Sequence, residues 1–383
     1  MTVPSWALDL LRCPLTQSPL EPVSRVDLEQ AWRAPALPVS QSPLAINAPD
    51  LLAAESRSYA YPLLEGLPVL LGPERLFPGG HGDHLDVTSP PYDEAYQEMG
   101  PYNERNDDLA RQARATPFAE SLTQKLQLST EERQRFPDPW WRWVENDTEL
   151  TAAEDALRHL RPLDGATVLQ LGGDGLGGLN LLAAGAERLV LVSPIINELR
   201  IFAMIAATVG FADRVLPVVA IGEELPIRAK SVDVVHSPAC IHHMHTDLAF
   251  PEINRVLAPG GRFSSYDIYE VPFYRLAIKL FGKREPGVNC KPLNKERLEP
   301  VAVFDDVTYR WHGTSIRYLT TLLARFRDLP DRHRLYRLAQ FEDRLAGRFP
   351  SLKRFASEVC VLARTFDDTE LATPSREAEP RIS

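Results

Sequence analysis

The stretch that most constrains this chain is Thr167 to Gly178, TVLQLGGDGLGG. An apolar run with strand character, Val168 to Leu171, meets five glycines within seven residues and continues as LNLLAAGA, which has helical character. A strand that breaks into a glycine turn and restarts as a helix aims backbone N–H groups at whatever lies over the turn, and the missing Cβ atoms let a ligand come close. The expectation is a nucleotide-type pocket. A plain tight βα turn has the same signature, so the segments that follow must discriminate.

Those segments alternate between strand-like and helix-like runs. Glu187 to Ser193 reads as a second strand, Ile195 to Gly210 as a helix, Val215 to Gly222 as a third strand and Ser231 to His236 as a fourth. Phe250 to Leu257 reads as a helix ending at APGG, and Arg262 to Tyr269 as a fifth strand. Apolar β-branched runs separated by helix-length segments predict βαβ units and a mostly parallel sheet covered on both faces. Upstream, Thr151 to Leu160 reads as a helix with Thr148 or Thr151 as its cap. Downstream come a helix over Val271 to Phe281, a sixth strand over Val301 to Trp311, helices over Ser315 to Arg327 and Arg332 to Gly347, and a seventh strand over Glu358 to Thr365. The polar residues after about 366 predict a disordered tail.

Composition narrows the partners. With 383 residues, two folded units plus connectors is the expected organisation, and 44% apolar content supports a sizeable core. A net charge of −10 speaks against general nucleic-acid binding. No secretory leader and no transmembrane segment of roughly 20 apolar residues is read in the sequence, so a cytoplasmic protein is expected. Four scattered cysteines, Cys13, Cys240, Cys290 and Cys360, form no disulfide framework.

Residues 1–72 read as a small β-rich module: LDLLRCPLTQSPLEPV and YPLLEGLPVLL are two apolar segments joined by a proline-rich connector. They resemble the zinc-ribbon-like Trm112-type module. That resemblance places Cys13 at a ligand position, but Thr16 stands where a second cysteine is expected and the module has no other, so no bound metal is expected. Residues 73–148 read as a connector or lid. Its Tyr92, Tyr96 and Tyr102, and its Trp140, Trp141 and Trp143, either close over an organic ligand or pin an irregular segment to the sheet.

In order along the chain, LGGDGLGG, EELPIRAKSVDVV, CIHHMH and EINRVLAPGGRF together resemble the class I S-adenosylmethionine (SAM) dependent methyltransferases, over roughly residues 151–270. The resemblance implies an α/β fold over residues 149–366, a Rossmann-like seven-stranded sheet with helices on both faces. It also implies SAM as cofactor and methyl transfer by in-line displacement to a small-molecule or lipid-like acceptor. Three positions where the family usually carries acidic groups toward the cofactor hold Gln170, Ser193 and Ile221 here. Asp174, Glu198 and Glu223 are nearby carboxylates that could take over. Gly172, Gly173 and Gly175 form the turn itself, in either of two glycine registers, and Tyr96 is expected to close over the cofactor. The alternative is a protein of this fold without methyl transfer, serving as a scaffold or running other chemistry in the same pocket.

His236, Cys240, His242, His243 and His245 crowd the end of the fourth strand. A metal site is not expected there, because strand alternation would send neighbouring side chains to opposite faces. His242 or His243 is instead a candidate general base, since imidazole titrates near neutrality. Tyr266, Asp267, Tyr269 and His312 are candidates to line the acceptor side. The basic segment Lys283 to Arg297 reads as a solvated loop or a contact for an anionic acceptor. The acceptor and the oligomeric state are not legible.

Overall fold

Leucine-rich segments near the amino terminus pair into a four-stranded antiparallel sheet of β1 (Leu20–Ser24), β2 (Asp50–Ala54), β3 (Ala60–Leu64) and β4 (Leu67–Pro68), accompanied by helices α1 (Ser5–Leu8) and α2 (Arg25–Trp32). The structure, a computed structural model, describes residues 3–34, 44, 47–78, 85–105, 119, 120, 122, 123, 127, 149–272, 290–314, 318 and 332–366. Helix α2 is capped by Ser24, whose side chain accepts from Asp27 N at 3.1 Å. Cys13 is buried and its Sγ hydrogen-bonds the hydroxyl of buried Tyr61 at 3.4 Å.

Helix α3 (Asp93–Arg105) and helix α4 (Leu150–His159) lead into the main sheet. Its strands are β5 (Thr167–Leu171), β6 (Arg188–Ser193), β7 (Val215–Val219), β8 (Val232–Pro238), β9 (Leu257–Ile268), β10 (Asp306–His312) and β11 (Glu358–Arg364), in the order β10-β11-β9-β8-β5-β6-β7. Pairs among β5 to β9 are parallel, and β11 runs antiparallel between β9 and β10. The seven strands implied by the sequence are all present. The remaining helices are α5 (Leu176–Ala183), α6 (Ile196–Thr208), α7 (Thr246–Val256), α8 (Lys295–Leu298) and α9 (Arg332–Arg348).

Side-chain alternation divides the core between the two faces of the sheet. Val168, Leu189, Leu191, Val215 and Val234 point to one face, where they meet Leu157 of α4, Leu179 of α5 and Phe202 of α6. Leu169, Val190, Val192, Leu216, Val218 and Phe263 point to the other, against Phe250 and Ile253 of α7. The amino-terminal sheet covers much of this second face: Leu10, Leu11, Tyr61 and Leu70 belong to the same apolar cluster. Backbone bonds from Leu70 N to Val219 O, 2.8 Å, and from Arg228 N to Leu10 O, 2.8 Å, fasten it to β7 and the loop beyond.

Several boundaries differ from those read in the sequence. Helix α7 begins at Thr246, not Phe250, and carries Pro251 inside it, where the proline leaves one backbone hydrogen bond unmade. The sixth strand starts at Asp306, since Pro300 opens a 3-10 turn over Glu299–Val303. Thr151 caps nothing: α4 follows Glu149 without a side-chain cap, and the Thr151 hydroxyl lies 3.2 Å from His312 Nδ1. The expected helices over Val271 to Phe281 and Ser315 to Arg327, the tryptophans at 140, 141 and 143, the start of the basic segment and the tail lie wholly or mostly outside the described residues. Among the described residues no helix is long and apolar enough to cross a membrane.

Candidate functional site

The order of the strands reverses at β5, which has β6 on one side and β8 on the other, and the glycine turn leaves β5 at its carboxyl end. In open α/β sheets this is where a crevice opens for ligands. Gly172, Gly173 and Gly175 all adopt left-handed φ values, 68°, 68° and 79°, which side chains other than glycine adopt only under strain. Gly172 N donates to Val192 O at 2.7 Å, tying the turn to β6. A Cβ on Gly172 would collide with Cys240 Sγ, so this thiol lies directly on the turn. Gly173 has more room: the atoms nearest a Cβ there are Gln170 Nε2 at 3.6 Å and Pro238 Cγ at 3.7 Å.

Gln170 is fully buried, with Nε2 donating to Gly172 O at 2.9 Å and Oε1 accepting from Gly178 N at 2.6 Å. Its amide braces the turn against the first turn of α5, so both polar ends face the protein's own backbone and not a ligand. Asp174 accepts from Leu176 N at 3.1 Å and stabilises the start of α5.

At the end of β6, Ser193 accepts from Ile195 N at 3.1 Å and donates to Glu198 Oε2 at 3.2 Å. The short hydroxyl thereby draws the half-buried Glu198 carboxylate toward the strand end, where the resemblance expects a carboxylate. Beyond β7, Ile221 is core, and half-buried Glu223 accepts from His245 N at 2.8 Å. Burial pushes the Glu223 carboxyl up to about 8 despite that N–H, with Glu94 and Asp93 adding to the rise.

Helix α3 lies over this end of the sheet, in part of what the sequence reads as connector. Asn103 Oδ1 accepts from Asn197 N at 3.1 Å, and Asn197 Nδ2 donates to Asn103 O at 3.1 Å, joining α3 to the start of α6. Tyr96 does not reach toward the glycine turn with its hydroxyl, which donates to Glu74 at 2.9 Å, while Tyr92 donates to Glu224 at 2.7 Å. The two rings meet edge to face, 6.5 Å apart. Tyr102 presents its edge to His243 at 6.1 Å.

The histidine cluster follows β8 as a 3-10 turn, Ile241–His243, and not as an extended strand. The sequence-based argument from alternation therefore does not apply, and the rings of His242 and His243 lie 4.1 Å apart on one side. His242 is buried, and its Nδ1 and backbone N meet Asp267 Oδ1 at 2.9 and 3.2 Å. His243 Nδ1 meets Glu98 at 3.0 Å, and His245 Nε2 meets Asp93 at 2.7 Å. One ligand atom each of Cys290, His242 and His243 lies within 4.8 Å of the others. Burial favours neutral rings, but Asp267, accepting from the ring, and the nearby Cys290 raise His242, while Cys290 and the acceptor Glu98 bring His243 up to about 10. Burial would raise the Cys290 thiol, yet the two imidazoles outweigh it and bring the thiol down to about 6. His243 is thus held protonated near neutrality, which removes it as a ready base. His236 is a different case: buried against Ser264 Oγ at 3.0 Å and lowered to about 4 by burial, it is a neutral packing residue.

Of the residues expected on the acceptor side, Asp267 joins the histidine cluster, and Tyr269 packs edge-on against Trp311 at 4.8 Å. His312 is elsewhere, buried with Asp343 at 3.0 Å and Asp155 at 3.5 Å. Sequence reasoning missed Asp93, Glu94 and Glu98. The 94/98 spacing places two carboxylates on one helical face, but Gly100 and Pro101 inside the same helix conceal it.

Residues 173–265 match the model of a family described as "Methyltransferase domain". No curated protein matches the sequence. Among solved structures, the chain is similar to geranyl diphosphate C-methyltransferase from Streptomyces coelicolor A3(2) in complex with Mg2+, geranyl diphosphate and S-adenosyl-L-homocysteine, at 16% identity over 56% of this chain and 79% of that one, with a TM-score of 0.43. It is similar to the [4+2]-cyclase SpnF at 18% identity, 58% and 86% coverage and TM-score 0.40. A third likeness is to Haemonchus contortus phosphoethanolamine N-methyltransferase 2 in complex with SAM, at 18% identity, 57% and 53% coverage and TM-score 0.40. The strand order described above stands without these likenesses.

Proposed function

We propose that the chain is a SAM-dependent methyltransferase acting on a small or lipid-like organic acceptor in the cytoplasm. The observation that carries the reading is the left-handed glycine turn at the sheet's switch point, with the Glu198 carboxylate drawn to the end of the adjacent strand by Ser193. These residues fit the cofactor: Gly173 leaves backbone uncovered toward the crevice, Glu198 offers acceptor oxygens to sugar hydroxyls, and Glu223, protonated near neutrality, offers a donor near the end of β7. The domain-family match over the same residues supports it. When bound, SAM supplies an electrophilic methyl group. The chain's part is to hold donor and acceptor in line and to keep water out, for which α3, docked through Asn103 and Glu98, supplies the cover. The amino-terminal sheet, a Trm112-like module without the zinc ligands of that type, acts as a scaffold for the β7 side.

Calorimetry with SAM and with S-adenosyl-L-homocysteine tests this reading. Micromolar or tighter binding is expected for both, and Glu198→Ala is expected to weaken it by about 10- to 150-fold, the equivalent of one charge-assisted hydrogen bond of about 1.5–3 kcal/mol. Absence of heat with either nucleoside, on folded protein, would favour a fold that no longer transfers methyl groups. Cys240 packed on Gly172 is the feature such a protein would share.

A further inference from the structure

Outside the turn that faces the cofactor, the residues that methyl transfer leaves unused are the ones most elaborately arranged. His242, His243 and Cys290 place one ligand atom each within 4.8 Å of one another. A tetrahedral zinc ion with bonds of roughly 2.0–2.1 Å to nitrogen and 2.3 Å to sulfur needs two nitrogens and one sulfur about 3.3–3.6 Å apart, a closure within reach of small side-chain rotations.

We propose that His242, His243 and Cys290 form a binding site for a single zinc ion, with a fourth coordination position open to water or to a ligand's oxygen or sulfur. Three features support it. First, each histidine has its Nδ1 held by a carboxylate, Asp267 for His242 at 2.9 Å and Glu98 for His243 at 3.0 Å, which leaves Nε2 as the nitrogen each ring would give the metal. Carboxylate–histidine pairs of this kind orient imidazoles toward a metal, and one such pair would suffice for an activated cysteine nucleophile, whereas here there are two. Second, the turn and the cysteine are fastened together by groups that are not ligands. Lys291 N donates to His242 O at 3.3 Å, while Arg297 donates to Met244 O at 2.7 Å and to Lys291 O, bridging the carbonyls on either side. Third, two imidazoles and a thiolate form a borderline-soft donor set that suits zinc and discriminates against magnesium and calcium. One thiolate and the carboxylates of Asp267 and Glu98 would offset the charge of the ion, which would displace the protons now shared among these groups.

The test uses the untagged full chain, stripped with a chelator and titrated separately with zinc and cobalt. One equivalent of either metal is expected to bind, and cobalt should give the visible absorption of a four-coordinate site together with a thiolate-to-cobalt charge-transfer band. Cys290 is exposed, so Cys290→Ser should fold normally and lose that band. Asp267→Asn, with circular dichroism as the check on folding, should weaken binding by about 10- to 100-fold. Zinc should also protect Cys290 from iodoacetamide. The proposal is overturned by substoichiometric metal on folded wild-type protein, by a cobalt band that survives Cys290→Ser, or by alkylation of Cys290 that zinc leaves unchanged; the last outcome would identify an imidazole-paired thiolate instead. None of these readouts depends on SAM binding.

Discussion

Gly175→Ala is expected to destabilise the protein by about 2–5 kcal/mol, read from the midpoint of urea unfolding. Two costs add: about 1–2 kcal/mol for a left-handed residue that carries a Cβ, and about 1–3 kcal/mol for overpacking. The second arises because that Cβ would collide with the ring of Phe202 and come within 2.9 Å of Leu191 Cδ2. Phe202 is fully buried between α6 and the sheet and cannot step aside without moving the helix. Gly173→Ala is the control: φ is similar at 68°, but nothing lies closer than 3.6 Å, so only the backbone cost of about 1–2 kcal/mol applies. Equal losses in the two variants would show that Phe202 does not press on the turn.

His312→Ala is the second large effect, about 2–4 kcal/mol, and it carries a pH signature. The ring is buried at the end of β10, within 3.0 Å of Asp343 on α9 and 3.5 Å of Asp155 on α4. Burial opposes the charge, but the surrounding Asp155, Asp343 and Cys360 outweigh it and raise the imidazole well above its ordinary value. A raised pKa in the folded state means that the stabilisation is complete below about 6.5 and disappears as pH climbs through the folded value. The gap between wild type and His312→Ala in urea unfolding is therefore expected to be wider at pH 6 than at pH 9. A gap independent of pH would mean that the ring contributes packing and not charge.

Strands β5 to β8 were legible because parallel strands buried on both faces read as unbroken apolar runs, as in Leu189 to Val192. Helix α3 was not, because Gly100 and Pro101 interrupt a segment already rich in acidic residues. At the candidate site the sequence located the glycine turn and the histidine cluster, but it could not assign their partners. Gln170 and Ser193 read as substitutions for acidic groups, and only side-chain geometry reveals that one braces the turn while the other draws in Glu198. Glu98 reaches His243 across 145 positions of sequence, and Cys290 reaches the same ring from beyond the fifth strand. Such meetings are set by how α3 and the segment before α8 dock on the sheet, which no local pattern encodes.

Strand β7 is the outermost strand on its side of the main sheet, and Val69 pairs with Val219 along its otherwise bare backbone. The first seventy residues thus form a built-in selvedge that closes the carboxyl end of this border and covers the apolar face beside it. A chain started at residue 73 would expose that border together with Leu216, Val218 and Ile227, and is expected to scatter light as large assemblies. Supplying residues 1–72 as a separate polypeptide during expression should restore a monodisperse species.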